Sequence, residues 1–283
     1  MVLVLSEADV ERQLELAPLV DVVAETLVRQ AAGEVERPER PHFPVGVGLD
    51  GDEPTGTGIA MPAYVHGTDH YATKLVGVHE GNTERGLPTI NAQIVLTDAR
   101  TGVPEALVAG TTVTNARTGC IGAAAVRALA PVTDPLTLGV VGAGAQARWQ
   151  TRAIATVASL VTATTATEPV FPAAALAPGA LVVAVGAFTD EMQELEPAVL
   201  ADAERVFADV PSEVAHTGDL LASSLEVSDL VELGVPLDEG YTRESPSGRL
   251  VVASVGSATL DATAGAAVYR RAVEAGDGTE VSL

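Results

Sequence analysis

Two features of this 283-residue chain could do chemistry. Gly142, Gly144 and Ala147 spell G-x-G-x-x-A between the apolar run LTLGVV and the helical run QARWQTRAIA. The first glycine allows a tight turn and the second lets backbone approach a pyrophosphate. The small third residue lets helix and strand pack, leaving an anion at the helix N-terminus. This context points to a dinucleotide, with plain strand–helix packing as the alternative. The second feature is Lys74 in YATKLVGV, the only lysine of the chain, set in a run that reads as a strand. Why a chain that otherwise uses arginine keeps one lysine there is a question of function.

Other candidates are weaker. His66 and His70 have H-x3-H spacing but sit in a polar turn, HGTDH, with no third metal ligand nearby. Cys120 lies on a small-residue helix without an obvious base, as a packing cysteine would. Asp261, at the start of the last helix, reads as an N-cap in preference to a residue facing a cofactor.

The elements around these residues divide in two. Ser6 and Asp9 look like a capped helix start, and residues 17–32 have helical spacing that stops at Gly33. HFPVGVGL, GIAMPAYV and YATKLVGV read as strands, and INAQIVLTDA and PEALVAGTTV flank a hairpin turn at Arg100-Thr101-Gly102. From Thr114 the texture changes to a small-residue helix, the Pro-containing linker PVTDP, and the fully apolar strands LTLGVVG, VTATT and LVVAVGAF. Strands apolar on both faces suit a parallel sheet. The chain closes on an amphipathic helix, DATAGAAVYRRAVEA.

Composition narrows the function classes. At 47% hydrophobic the chain can bury at least one core, and two domains are expected. The formal charge of −22 repels nucleic acid and anionic membranes. Acids spread over the whole chain suit a salt-rich cytoplasm that screens their repulsion. One cysteine, no apolar run of membrane length and an acidic N-terminal segment without a signal-peptide pattern give the same expectation, a cytoplasmic protein.

Several stretches together, MPAYV with ATKLV, VTNARTG, then GAGAQA followed by TATTATEP and AVGAFTDEMQEL, carry a resemblance. From Arg40 to Tyr269 the chain resembles the ornithine cyclodeaminase/mu-crystallin family, which includes an archaeal alanine dehydrogenase and ketimine reductases. The resemblance implies an α/β fold: a Rossmann-like dinucleotide-binding domain over residues 118–258 and an α+β substrate and dimerisation domain. The latter covers residues 1–117 and is completed by the C-terminal helix within 259–283. It implies an NAD- or NADP-dependent oxidoreductase acting at the C–N bond of a small amino or imino acid, and a homodimer. Three cations would hold the substrate carboxylate: Arg40 in ERPERPHF, with Arg37 as a substitute, Lys74 and Arg117. Lys74 would also be catalytic, and His79 would border the substrate. Thr118, Gly142, Gly144, Ala145, Gln146, Thr164 and Gly186 would line the cofactor.

The chain departs from the family twice. The cyclodeaminase carries an aspartate two residues after the glycine matched by Gly186, where this chain has Phe188. A phenyl ring transfers no proton, so conversion of ornithine to proline and ammonia is disfavoured and plain redox chemistry is favoured. Roughly 40 residues, about two βα units, are also absent between the helix after GAGAQA and VTATT. With them goes the acid that normally grips the ribose, since none precedes Glu168. Three outcomes are open: the helix changes face, the strand order is rearranged, or the fold differs. A family member impaired in cofactor binding and catalytically silent is the remaining alternative.

Overall fold

The computed structural model describes residues 1–49, 51–131, 138–155, 161–162 (backbone only) and 168–282. It forms two compact units, the first of Met1–Glu15, Glu34–Thr114 and Ala258–Leu283, the second of Leu16–Gly33 and Asn115–Ser257.

Numbered along the chain, the elements up to the hairpin are β1 (Val2–Leu5), α1 (Glu7–Gln13), α2 (Leu16–Ala31), β2 (Val35–Glu36), β3 (His42–Val45), β4 (Gly56–Val65), β5 (His70–Val78), β6 (Ile90–Asp98) and β7 (Pro104–Ala109). Then come α3 (Gly110–Leu129), β8 (Val140–Val141), α4 (Ala145–Ile154), β9 (Val161–Thr162), β10 (Leu181–Ala184), α5 (Pro197–Ala201), β11 (Ala203–Ala208), α6 (Pro211–Val214) and α7 (Gly218–Leu221). The chain ends with β12 (Leu230–Glu232), α8 (Gly234–Glu239), β13 (Arg249–Ala253), α9 (Ala258–Ala275) and β14 (Thr279–Val281).

The first unit is a mixed sheet in the order β14-β1-β7-β6-β5-β4-β2, with β3 also on β4. Its centre, β4 to β7, is antiparallel. Alternation decides the faces: Ala72 and Lys74 of β5 point to the buried face with Ile94, Leu96, Ala106 and Val108. The long helix α9 packs on these strands. Ser6 and Asp9 form the expected capping box at α1, with the Ser6 hydroxyl accepting from Asp9 N–H at 3.3 Å and Asp9 accepting from Ser6 N–H at 2.9 Å. The pattern reading missed β1 and β14, which are too short to show a period. It also placed the end of the hairpin strand too late: α3 starts at Gly110. A Cβ at Gly110 would lie 2.9 Å from the Ala92 backbone, so only glycine lets the chain pass from β7 into the helix across β6.

The second unit carries an all-parallel sheet in the order β12-β11-β13-β10-β9-β8. Its strands β10 and β13 are almost wholly buried, as the continuous apolar runs require. Val182, Val206 and Val251 form its core with Leu195 and Leu200. Helix α2 lies in this unit. It packs on α8, where Gly234 sits so close that a Cβ would meet the Leu27 carbonyl at 2.1 Å. Strand β8 pairs with β9 through Val140–Val161 and Val141–Thr162, and among the described residues it is the edge of the sheet. The consecutive strands β8, β9 and β10 are therefore neighbours, whereas β13 comes between β10 and β11.

Candidate active site

In the first unit a buried polar cluster is built around Lys74. It lies on β5 between Met61 of β4 and Ile94 of β6, in the middle of the sheet and not at an edge. Its side chain is 3% exposed and its ammonium pairs with the carboxylate of Asp261, which is 1% exposed. The Thr114 hydroxyl accepts from Lys74 at 3.4 Å and donates to Asp261 Oδ1 at 3.3 Å, closing a three-membered polar cluster. Removing two charges from water costs several kcal/mol apiece, returned only when they meet each other with further hydrogen bonds. Helix α9 starts at Ala258, so Asp261 is its fourth residue and does not cap it, contrary to the sequence expectation. A one-turn offset put the carboxylate over the lysine instead.

Arg40 lies half-buried in the coil between β2 and β3, as does Arg37. The ring of His79 is occupied by the start of β4: its Nδ1 lies 3.1 Å from the Thr55 carbonyl, and it covers Gly56 so closely that a Cβ there would be 2.3 Å away. The two histidines of the H-x3-H pair diverge, His66 to Glu36 at 3.0 Å and His70 to Glu105 at 2.7 Å. Among the described residues no three His, Cys, Asp or Glu gather as a metal site.

In the second unit the glycine turn is open. Gly142 has φ of +106°, a conformation that favours glycine, and residues 142–145 are exposed. Gly144 caps α4 with no side-chain hydrogen bond, and among the described residues no atom lies within 4 Å of where its Cβ would stand. The start of a ten-residue helix is thus exposed, while Ala147 is buried against the fold. This arrangement fits a pyrophosphate. Behind the turn, Gln146 donates to Asn115 at 2.8 Å and the fully buried Gln150 donates to the Thr118 carbonyl at 2.9 Å. Gly119 lets α3 and α4 touch, since a Cβ there would be 2.7 Å from the Trp149 carbonyl. Arg117 is buried on α3 and donates to the Thr118 hydroxyl at 2.7 Å. Thr164 lies outside the described residues.

The loop after β10 is anchored by two carboxylates that sequence reasoning missed. Glu194 accepts from Gly186 N–H at 2.8 Å, and Asp219 Oδ1 accepts from the N–H groups of Glu194 and Leu195 at 2.7 and 2.8 Å. Burial pushes the Asp219 carboxyl up to about 6, opposed by those two donors and reinforced by the neighbouring Glu194 charge. Phe188, half-buried, sits in the same loop. No local pattern marks such residues, because their partners are backbone groups distant in sequence. Cys120 is buried and burial pushes its thiol up to about 12, as for a packing cysteine and not a nucleophile.

Comparison with known proteins covers both units. The chain is 30% identical to the Δ1-pyrroline-2-carboxylate/Δ1-piperideine-2-carboxylate reductase of Azospirillum brasilense, over 304 aligned positions spanning 92% of this chain and 93% of that protein. The structure superposes on the Thermococcus litoralis Δ1-pyrroline-2-carboxylate reductase in complex with NADH and L-proline with a TM-score of 0.90 and 25% identity, covering 99% of this chain and 100% of the other. It superposes on an archaeal alanine dehydrogenase dimer with bound NAD with a TM-score of 0.89 and 24% identity, covering 100% and 99%. The model of the ornithine cyclodeaminase/mu-crystallin family matches in two stretches, residues 1–161 and 155–276. Since that match takes in the lysine strand, the glycine turn and the helix carrying Asp261, the chain belongs to the ornithine cyclodeaminase/mu-crystallin family.

Proposed function

We propose that the protein is an NAD(P)-dependent oxidoreductase that reduces the C=N bond of a small imino acid to the amino acid. The buried Lys74–Asp261 pair carries this reading. Bound at the glycine turn, a reduced nicotinamide cofactor supplies the hydride that such a reduction needs. The chain's own residues do the rest. Arg117 and Arg40 hold the substrate carboxylate through charge-assisted hydrogen bonds. The Lys74 charge is already balanced by Asp261, so its ammonium serves better as proton donor to the imine nitrogen than as a free counterion. Asp261 and Thr114 keep the ammonium aimed, and the neutral amine left behind is reprotonated from water. Phe188 stands where the cyclodeaminase has its aspartate, which favours reduction over ammonia release. Gly142, Gly144 and Ala145 form the pyrophosphate cradle, with Gln146, Thr118, Thr164 and Gly186 around it.

The test is turnover of NADH or NADPH in molar salt with Δ1-pyrroline-2-carboxylate, with pyruvate plus ammonia, and with ornithine. Oxidation with the cyclic imine and no ammonia from ornithine is expected. Absence of turnover with every substrate, and no quenching of Trp149 on α4 by either cofactor, would leave the catalytically silent reading instead.

The cofactor grip of this reading is reduced, because the chain lacks two βα units of its relatives near residues 155–161. Three observations support this. The family match breaks at those residues, β8 is the sheet edge among the described residues, and the alignment to the Azospirillum enzyme has about 44 more positions than the 92% of this chain that it spans. Loss of the ribose carboxylate removes one or two charge-assisted hydrogen bonds, about 2–4 kcal/mol. Calorimetry in molar salt should give a dissociation constant weaker than micromolar, and a tighter value overturns this part.

A homodimer through the sheet of the first unit belongs to the same reading. Tyr71, Leu75 and Leu107 share the face that α9 leaves uncovered, and all three are exposed. Light scattering in molar salt should show two chains. We place the protein in the cytoplasm, where a single buried thiol needs no partner.

A further inference from the structure

Asp209, one residue past β11 and 1% exposed, accepts four hydrogen bonds through its carboxylate. Val210 N–H at 2.8 Å and Val255 N–H at 3.1 Å reach Oδ1, while Gly256 N–H at 2.8 Å and the Ser254 hydroxyl at 2.6 Å reach Oδ2. Three of the four donors belong to the segment that follows β13. Gln30 of α2 ties the same segment from another side, donating to the Asp209 carbonyl at 2.6 Å and accepting from the Ser257 hydroxyl at 2.7 Å. Within this segment Gly256 has φ of +80°, and a Cβ on it would stand 2.5 Å from Arg117 Nη1 and 2.8 Å from Nη2. The guanidinium therefore occupies the space that a side chain at 256 would take, and only glycine leaves it room. Arg117 is 4% exposed and its Nη1 is also held by Thr118, so its head has little room to move.

We propose that Asp209 is a positioning residue for recognition of the substrate carboxylate, acting through the Gly256 backbone on Arg117. The proposal rests on the reading above that Arg117 binds that carboxylate. Guanidinium–carboxylate recognition needs a fork held in one plane and one direction. A carboxylate with acceptor capacity on both oxygens can gather donors from both sides, whereas the amide of asparagine accepts on one side only. Asp209 thus sets where Gly256 lies, and Gly256 sets where Arg117 points.

The test is a cycle of Asp209→Asn, Arg117→Ala and the double variant, in molar salt, with Δ1-pyrroline-2-carboxylate and NADH. Asp209→Asn should raise KM about ten-fold or more, with kcat within about three-fold and the NADH dissociation constant within about two-fold. In the Arg117→Ala background, Asp209→Asn should change KM by less than about two-fold, because the two act as one unit. An Arg117→Ala enzyme with unchanged KM would remove the reading of Arg117 and this proposal with it. A raised KM for Arg117→Ala with an additive Asp209→Asn effect, or parallel loss of kcat and cofactor affinity, would leave Arg117 in place and reduce Asp209 to a fold-stabilising role. If Asp209→Asn does not fold, Gly256→Ala decides. It leaves the Asp209 side chain intact and pushes a methyl group against the guanidinium, and a normal KM for it overturns the proposal.

Discussion

Asp261 and Asp219 are both buried carboxylates, one in each unit, and they are accommodated in opposite ways. Asp261 meets an ammonium and a hydroxyl and so holds another charge in place. Burial drives the Asp219 carboxyl up to about 6, against two backbone N–H donors that lower it and with the charge of a second acid, Glu194, adding to the rise. The contrast separates an ion pair that can serve a reaction from a carboxyl that organises a loop. Burial alone does not distinguish them; the sign of the neighbour does.

The largest effect expected from breaking this comparison is at Lys74. Lys74→Met leaves Asp261 buried without its counterion, and should lower stability by about 3–5 kcal/mol. It should also remove imine reduction by about 100-fold or more, the usual contribution of a positioned proton donor. Lys74→Met with Asp261→Leu should regain most of the stability and none of the activity. Chemical denaturation and turnover measured on both variants check this; equal destabilisation of the single and double variants would show that the pair is not energetically coupled.

Asp219 sharpens the other half. An acid whose folded value lies above its ordinary 3.8 contributes stability that is complete below that ordinary value and is lost as pH rises through about 6. The span of roughly two pH units corresponds to on the order of 3 kcal/mol. Asp219→Asn keeps the acceptor oxygen for both N–H groups and cannot ionise. In molar salt the variant should therefore be more stable than the wild type at pH 7.5, with the difference shrinking towards pH 4. A variant that is less stable at neutral pH would mean that the charged carboxylate is what the loop needs.

A pair of glycines gives a smaller effect that separates cofactor binding from packing. Gly119→Ala drives a methyl group onto the Trp149 carbonyl and should cost about 1–3 kcal/mol of stability. Gly144→Ala meets nothing among the described residues and should cost less than about 1 kcal/mol, yet weaken NADH binding measured by Trp149 quenching. Equal effects of the two substitutions on stability would contradict the open turn. Smallest of all, Ser6→Ala removes the capping box of α1 and should lower stability by about 1 kcal/mol without touching activity.

Much of this molecule could be read from local pattern. The apolar run YATKLVGV placed Lys74 on a strand, and G-x-G-x-x-A between strand and helix located the open turn. The hairpin at Gly102 and the stop of α2 at Gly33 were equally legible, because a positive φ at a turn needs only its neighbours to explain it. The reading stopped where partners are far apart. Asp261 looked like a helix cap because a cap is a local device, and the lysine that claims it is 187 residues away. Helix α2 looked continuous with the strands after it, yet the contact that assigns it is with Gly234.

What periodicity and turn chemistry settle is which segments form elements and which side of each is apolar, since those depend on residues a few positions apart. Which charge meets which is chosen by packing. Four donors converge on Asp209 from residues 210 and 254–256, two carboxylates anchor the loop after β10, and Gly256 leaves room for an arginine that precedes it by more than a hundred positions. A buried polar group takes whichever partner the tertiary arrangement brings within about 3 Å, and leaving it without one costs more than any local preference can supply.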